Sequence, residues 1–120
     1  MRFLLFCALT LAANAVGAGA LENCLKQKQA EAEIQLCVET AELRSTNQLR
    51  KLSATTRAAV ADEARNGERS GRMRAYRRME ARHVRERNSL CRKHGSPLER
   101  SACIADMNEA HGAELARFMQ

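Results

Sequence analysis

The sequence predicts an all-α domain: a small, disulfide-stapled helical bundle with three helices running up-down-up and a long first hairpin. Three observations carry that expectation. Apolar residues recur at steps of three and four along most of the chain from Glu31 onward. Glycine-containing breaks at Asn66-Gly67, Ser70-Gly71 and Gly95-Ser96-Pro97 divide that periodic stretch. Four cysteines, Cys24, Cys37, Cys91 and Cys103, are spaced nearly as a mirror image, thirteen residues apart and then twelve. The outer two and the inner two are both centred near Ala64, as facing positions of an antiparallel helical pair would be.

Residues 1–20 read as a cleaved signal peptide. Arg2 gives a positive start, Phe3 to Ala13 an apolar core, and Ala18-Gly19-Ala20 a small-x-small cleavage site, so the domain is residues 21–120 and begins at Leu21. Cys7 leaves with the signal. Leu21-Glu22-Asn23 before Cys24 lacks the small residues that lipid attachment requires. No stretch reaches the ~20 apolar residues of a spanning helix, so no membrane span is expected. A periplasmic or secreted location follows, and with it an oxidising environment in which an even set of cysteines reads as disulfides.

Helix one is predicted from Glu31, with Ile34, Val38, Ala41, Ser45, Leu49, Leu52, Thr56 and Val60 on its inner stripe and Glu39, Glu42, Arg44 and Lys51 off it. Residues before Glu31 are taken as a pre-helical segment. Helix two should run from about Arg72 to Lys93, its thin apolar face made by Met73, Tyr76, Met79, His83, Val84, Leu90 and Cys91, ending at Lys93-His94-Gly95. Ser96-Pro97-Leu98-Glu99 combines a capping serine, a first-turn proline and a glutamate, so helix three starts there. Its inner positions are predicted as Cys103, Ile104, Met107, His111, Leu115 and Phe118. This arrangement brings Cys37 to Cys91 and Cys24 to Cys103. The pairing of Cys24 with Cys37 and Cys91 with Cys103 stays open, because four cysteines allow three connectivities. Two bridges would each add ~2–4 kcal/mol, comparable to the whole stability margin of a small domain.

Charge is unevenly distributed. The chain carries a net +6, and residues 51–94 hold thirteen Lys or Arg against five Asp or Glu, while residues 21–50 hold four against five. Arg69, Arg72, Arg74, Arg77, Arg78, Arg82, Arg85 and Arg87 crowd helix two, and Arg74, Arg77, Arg78 and Arg85 form a candidate binding face for polyanions or acidic clients. The plainer reading is a solvated face whose arginines pair with Glu68, Glu80 and Glu86. Nucleic acid is not expected, since Tyr76 stands alone where base stacking would need several aromatics. The methionines Met73, Met79, Met107 and Met119 read more simply as core filling than as a client surface.

Catalysis is not expected. Four bridged thiols leave no Cys-His nucleophile, His83, His94 and His111 lie on separate parts of the chain, and His83 and His111 fall on apolar stripes that mark core residues. The cysteine spacings are too long for the close pairs of a zinc site, so no metal or other cofactor is expected.

Cys24 with Gln29-Ala30-Glu31 and Cys37, then Leu49 and Leu52, Arg87-Asn88-Ser89-Leu90-Cys91, Ser101-Ala102-Cys103-Ile104 and Ala113-Glu114-Leu115 together resemble the LprI-type lysozyme inhibitors, small exported bacterial domains with four cysteines in this layout. Where that family usually has a tryptophan eight residues before the third cysteine and an Arg-Asp pair at four and three, this chain has His83, Arg87 and Asn88. The resemblance implies a non-catalytic inhibitor whose partner is lysozyme or another envelope protein. The alternative is a chaperone-like or polyanion-binding adaptor that uses the arginine-rich helix.

Overall fold

The computed structural model describes residues 19–67 and 71–120. It has four helices in up-and-down order, α1 (Ala20–Gln27), α2 (Glu31–Arg65), α3 (Gly71–Arg92) and α4 (Pro97–Phe118), with no strand among the described residues. The predicted signal residues 1–18, Cys7 included, and Glu68, Arg69 and Ser70 lie outside the described residues.

The predicted helices are present with close boundaries. On α2 the inner stripe is as expected, with Val38, Ser45, Thr56 and Val60 buried. The helix ends at Asn66, and Gly67 follows with φ of 73°, a left-handed turn conformation that glycine adopts without the penalty a Cβ brings. At the start of α4 the Ser96 hydroxyl accepts the Glu99 amide at 3.1 Å and Pro97 sits in the first turn. Arg72 joins three helix ends: it pairs with Glu63 of α2, donates to the Phe118 carbonyl of α4 and lies 4.2 Å over the Phe118 ring.

Two inner stripes differ from expectation. On α4 the buried residues are Ala102, Ala105, Asn108, His111 and Leu115, so the core face lies one position round from the predicted Cys103, Ile104 and Met107, which are only half-buried. Small alanines allow α4 to approach α2 closely, its most extensive partner. On α3, Tyr76, His83 and Cys91 are buried, whereas Val84 and Leu90 are exposed, each one residue and hence about 100° round from a buried neighbour.

The pairing of Cys37 with Cys91 and Cys24 with Cys103 is corrected. Cys24 is bonded to Cys37 and Cys91 to Cys103, with Cα separations of 5.8 and 5.4 Å. The reason is α1. Residues 20–27 are helical rather than a pre-helical tether, and a break at Lys28, whose backbone is extended, folds α1 back on the start of α2. Each disulfide therefore straddles a chain reversal, at residues 28–30 and at residues 93–96. The reversal near Ala64 is also present, since the Tyr76 hydroxyl donates to the Ser53 carbonyl at 3.1 Å across it. Cys37 and Cys91 lie on the two helices of that hairpin, but α2 packs chiefly on α4, and each cysteine is taken by its nearer neighbour.

The apolar core is thin. Around Cys24, Val38 and Ala102 gather Ala20, Leu21, Ile34, Cys37 and Leu98, closing the end where α1, α2 and α4 meet. Leu115, Val38 and Val60 are essentially fully buried, each contributing about 1.5–3 kcal/mol. Between the two ends the interior is polar.

Candidate functional site

The polar interior is built on α4, where the three-residue steps from Ala102 to Asn108 to His111 place an amide and an imidazole towards α2 and α3. Asn108 is 2% exposed. Its Nδ2 donates to the hydroxyls of Ser45 at 3.3 Å and Thr46 at 3.2 Å, leaving Oδ1 to accept from His83 Nε2 at 3.2 Å. That arrangement fixes the His83 tautomer, with its hydrogen on Nε2. The His83 and His111 rings stack with centroids 4.2 Å apart and planes 5° from parallel. His111 Nε2 donates to Glu80 at 2.8 Å, and Glu80 also receives the Ser53 hydroxyl at 3.3 Å.

Electrostatics follow from this packing. Burial, then the neighbouring His111, hold the His83 imidazole below the usual histidine range, against the hydrogen bond to Asn108. Burial and the Glu80 carboxylate push the Tyr76 phenol up. His111 Nδ1 is buried without a hydrogen-bond partner, and the Glu114 carboxylate lies 3.5 Å from it. Glu114 is also paired with Arg82. Apart from His111 Nδ1, these groups are hydrogen-bonded to one another within the bundle. His83 and His111 thus occupy the core, as their apolar stripes indicate, and His94 lies apart on the surface beside Glu99.

The predicted arginine face is on the outside of α3. Arg74, Arg77, Arg78 and Arg85 are exposed, and none is paired with a carboxylate among the described residues. Of the carboxylates that the solvated-face reading assigns to them, Glu80 points inward to His111 and Ser53, Glu86 is exposed without an ion pair among the described residues, and Glu68 lies outside the described residues. Arg72 and Arg82 are taken by Glu63 and Glu114. Arg74, Arg78 and Arg85 share one ridge, and Arg77 faces α2, where with Arg57, Tyr76 and Glu80 it lines a groove of about 330 Å³.

A larger groove, about 510 Å³, lies between α1, α2 and α4 and is lined by residues including Cys24, Leu36, Cys37, Arg44 and Glu109. Leu25, Leu36 and Leu43 at this end are 54%, 64% and 63% exposed. Leu36 and Leu43 are seven residues apart on the outer face of α2, opposite Val38 and Ser45, with exposed Glu33 and Glu39 alongside. The sequence contains a signal for this patch, two leucines out of phase with the inner stripe. No trio of His, Cys, Asp or Glu is arranged to hold a metal among the described residues.

Fold and site together define a small, disulfide-closed helical bundle with a hydrogen-bonded polar core, in which His111 Nδ1 lacks a partner, and two surfaces of different character. Comparison with protein-family models, curated proteins and solved structures found no match.

Proposed function

We propose that this chain is an exported, LprI-like lysozyme inhibitor that acts in the cell envelope by binding and not by catalysis. The observation that supports it best is the leucine patch on the disulfide-pinned α1–α2 end. Exposed Leu25, Leu36 and Leu43, the last two with Glu33 and Glu39 alongside, suit a protein contact, and residues 21–50, unlike residues 51–94, carry no net positive charge. Lysozymes are commonly basic, and this end, unlike α3, can meet a cationic enzyme without repulsion. Residues 1–20 serve as the signal peptide in this reading. Cleavage before Leu21 would leave the new amino group one residue from the Asp106 carboxylate, which now accepts the Ala20 amide at 2.8 Å.

The mature domain, residues 21–120, is expected to protect peptidoglycan from at least one lysozyme type near stoichiometric ratio. Leu36→Asp with Leu43→Asp should abolish that protection without unfolding the domain. Raising salt from low to physiological concentration should spare or strengthen binding to a basic lysozyme, since screening weakens the overall like-charge repulsion. A second reading, a basic adaptor for polyanions or acidic clients, is favoured by Arg74, Arg77, Arg78 and Arg85, exposed and without an ion pair among the described residues. It takes precedence if no lysozyme is inhibited while an anionic glycan binds in a salt-sensitive way that is lost on neutralising Arg74, Arg77 and Arg78.

A further inference from the structure

A proton on the His83–His111 stack has one well-furnished place and one poor one. On His111 it lies between two carboxylates, Glu80 at 2.8 Å from Nε2 and Glu114 at 3.5 Å from Nδ1. It also gives the buried, unpartnered Nδ1 a hydrogen to direct at Glu114. His83 has no carboxylate within ion-pair distance among the described residues. Its Nε2 already serves Asn108, and its ring lies flat on His111. The charged groups around the pair are Glu80, Arg82 and Arg87 of α3 and Glu114 of α4, with Arg82 bound to Glu114. The groups α2 brings into contact with this network are the hydroxyls of Ser45, Thr46 and Ser53, and Arg57 sits at the rim of the groove beside Glu80. A second charge would therefore rest 4.2 Å from the first, over a parallel ring, with no counter-ion of its own.

We propose that the His83–His111 stack is an acid-sensitive latch that clamps α3 against α4 while no more than one ring is charged and frees α3 when both are. Two features make the opening local and reversible. The Cys91–Cys103 bridge at one end and the chain connection to α2 at the other keep α3 attached, so it can swing out without being lost. The arginine ridge rides on α3, so acid would change how Arg74, Arg78 and Arg85 are presented relative to the leucine end. The direction of the pH effect follows from His83. Its folded form binds a proton less readily than the unfolded chain, whose histidines titrate near ~6.5, so the unfolded state holds more protons below that pH. The latch is at full strength above about pH 6.5 and weakens as the pH falls below it.

The test compares the melting temperature of the wild-type mature domain with those of His83→Gln, which keeps a donor for Asn108 but cannot be charged, and of the surface control His94→Gln. Between pH 7.5 and 5.0 the wild type and His94→Gln should lose about 4–8 °C more than His83→Gln. Amide exchange at pH 5.0, corrected for its intrinsic rate, should rise in α3 before it rises in α1. A pH profile in His83→Gln as steep as in the wild type overturns the latch. Should that variant fail to fold, proton NMR titration of the wild-type imidazoles decides. One buried ring titrating below ~6.5 together with shifting α3 amides supports the latch, and two independent titrations near ~6.5 with silent α3 amides sink it.

Discussion

Asn108 is the residue on which the interior turns. It is the only side chain that touches both the α2 hydroxyls and the α3 imidazole in the network described, and it is buried at the level of an aliphatic core residue. Asn108→Leu would fill much the same space, yet it would leave the His83 Nε2 hydrogen without an acceptor, while Ser45 keeps its bond to the Glu42 carbonyl and Thr46 is only half-buried. Orphaning a buried group costs about 1–3 kcal/mol, less whatever water or rotation restores. Asn108→Leu is therefore expected to destabilise the domain by about 1–3 kcal/mol in urea titration, despite its greater apolarity. A measured gain in stability would mean that the network is dispensable. Little of it is legible in the sequence. His83 and His111 on apolar stripes announce buried imidazoles, but Asn108 and Glu80 look like ordinary surface residues, because their burial depends on the roll of α4 and on the inward turn of one carboxylate.

At the scale of elements, the capping and turn chemistry around Asn66-Gly67 and Ser96-Pro97 makes α2, α3 and α4 readable within a residue or so. α1 is not readable in that way. Its eight residues end at Lys28 with no glycine, proline or capping asparagine to mark the break, and a helix that short has no independent stability in water. What holds it is tertiary: the Cys24–Cys37 bond, the packing of Leu21 and Cys24 on Val38 and Ala102, and the Ala20 amide on Asp106. With residues 20–27 helical and folded back on α2, Cys24 meets Cys37 instead of reaching Cys103. Replacing both Cys24 and Cys37 by serine should raise amide exchange in residues 21–28 towards that of an unfolded segment, while α3 and α4 keep their protection. Replacing both Cys91 and Cys103 should instead lower the global melting temperature, since that loop joins two principal helices of the bundle and is worth about 3 kcal/mol. Equal global losses for the two double variants would show that α1 melts with the whole bundle.

Taken as a whole, the molecule consists of two covalent halves. One contains α1 and α2, the other α3 and α4, each closed by its own disulfide and joined covalently to the other only through the chain at residues 66–70. Packing of α2 on α4, the Asn108 network and Arg72 hold the halves together without a covalent bond. A single cut in residues 66–70, at Arg69 for example, should then give two fragments that separate on a denaturing gel without reductant. The crossed pairing of Cys37 with Cys91 would keep them as one band until reduced. The same cut made under native conditions should leave the halves associated, because the seam between α2 and α4 does not depend on the turn.

Because both bridges join cysteines that are consecutive in the chain, the order in which the thiols appear is also the order in which they pair. If the chain is exported as proposed, N-terminus first into an oxidising space, Cys24 and Cys37 would be presented together before Cys91 and Cys103 arrive. With Cys7 removed along with the signal residues, Cys24 would then meet Cys37 before Cys91 or Cys103 could compete, and the second bond would have a single pair left to form. On that route native covalent structure would be written in one pass, with no reshuffling step, and the buried imidazoles and amide would need only to find one another once the two closed hairpins are in hand.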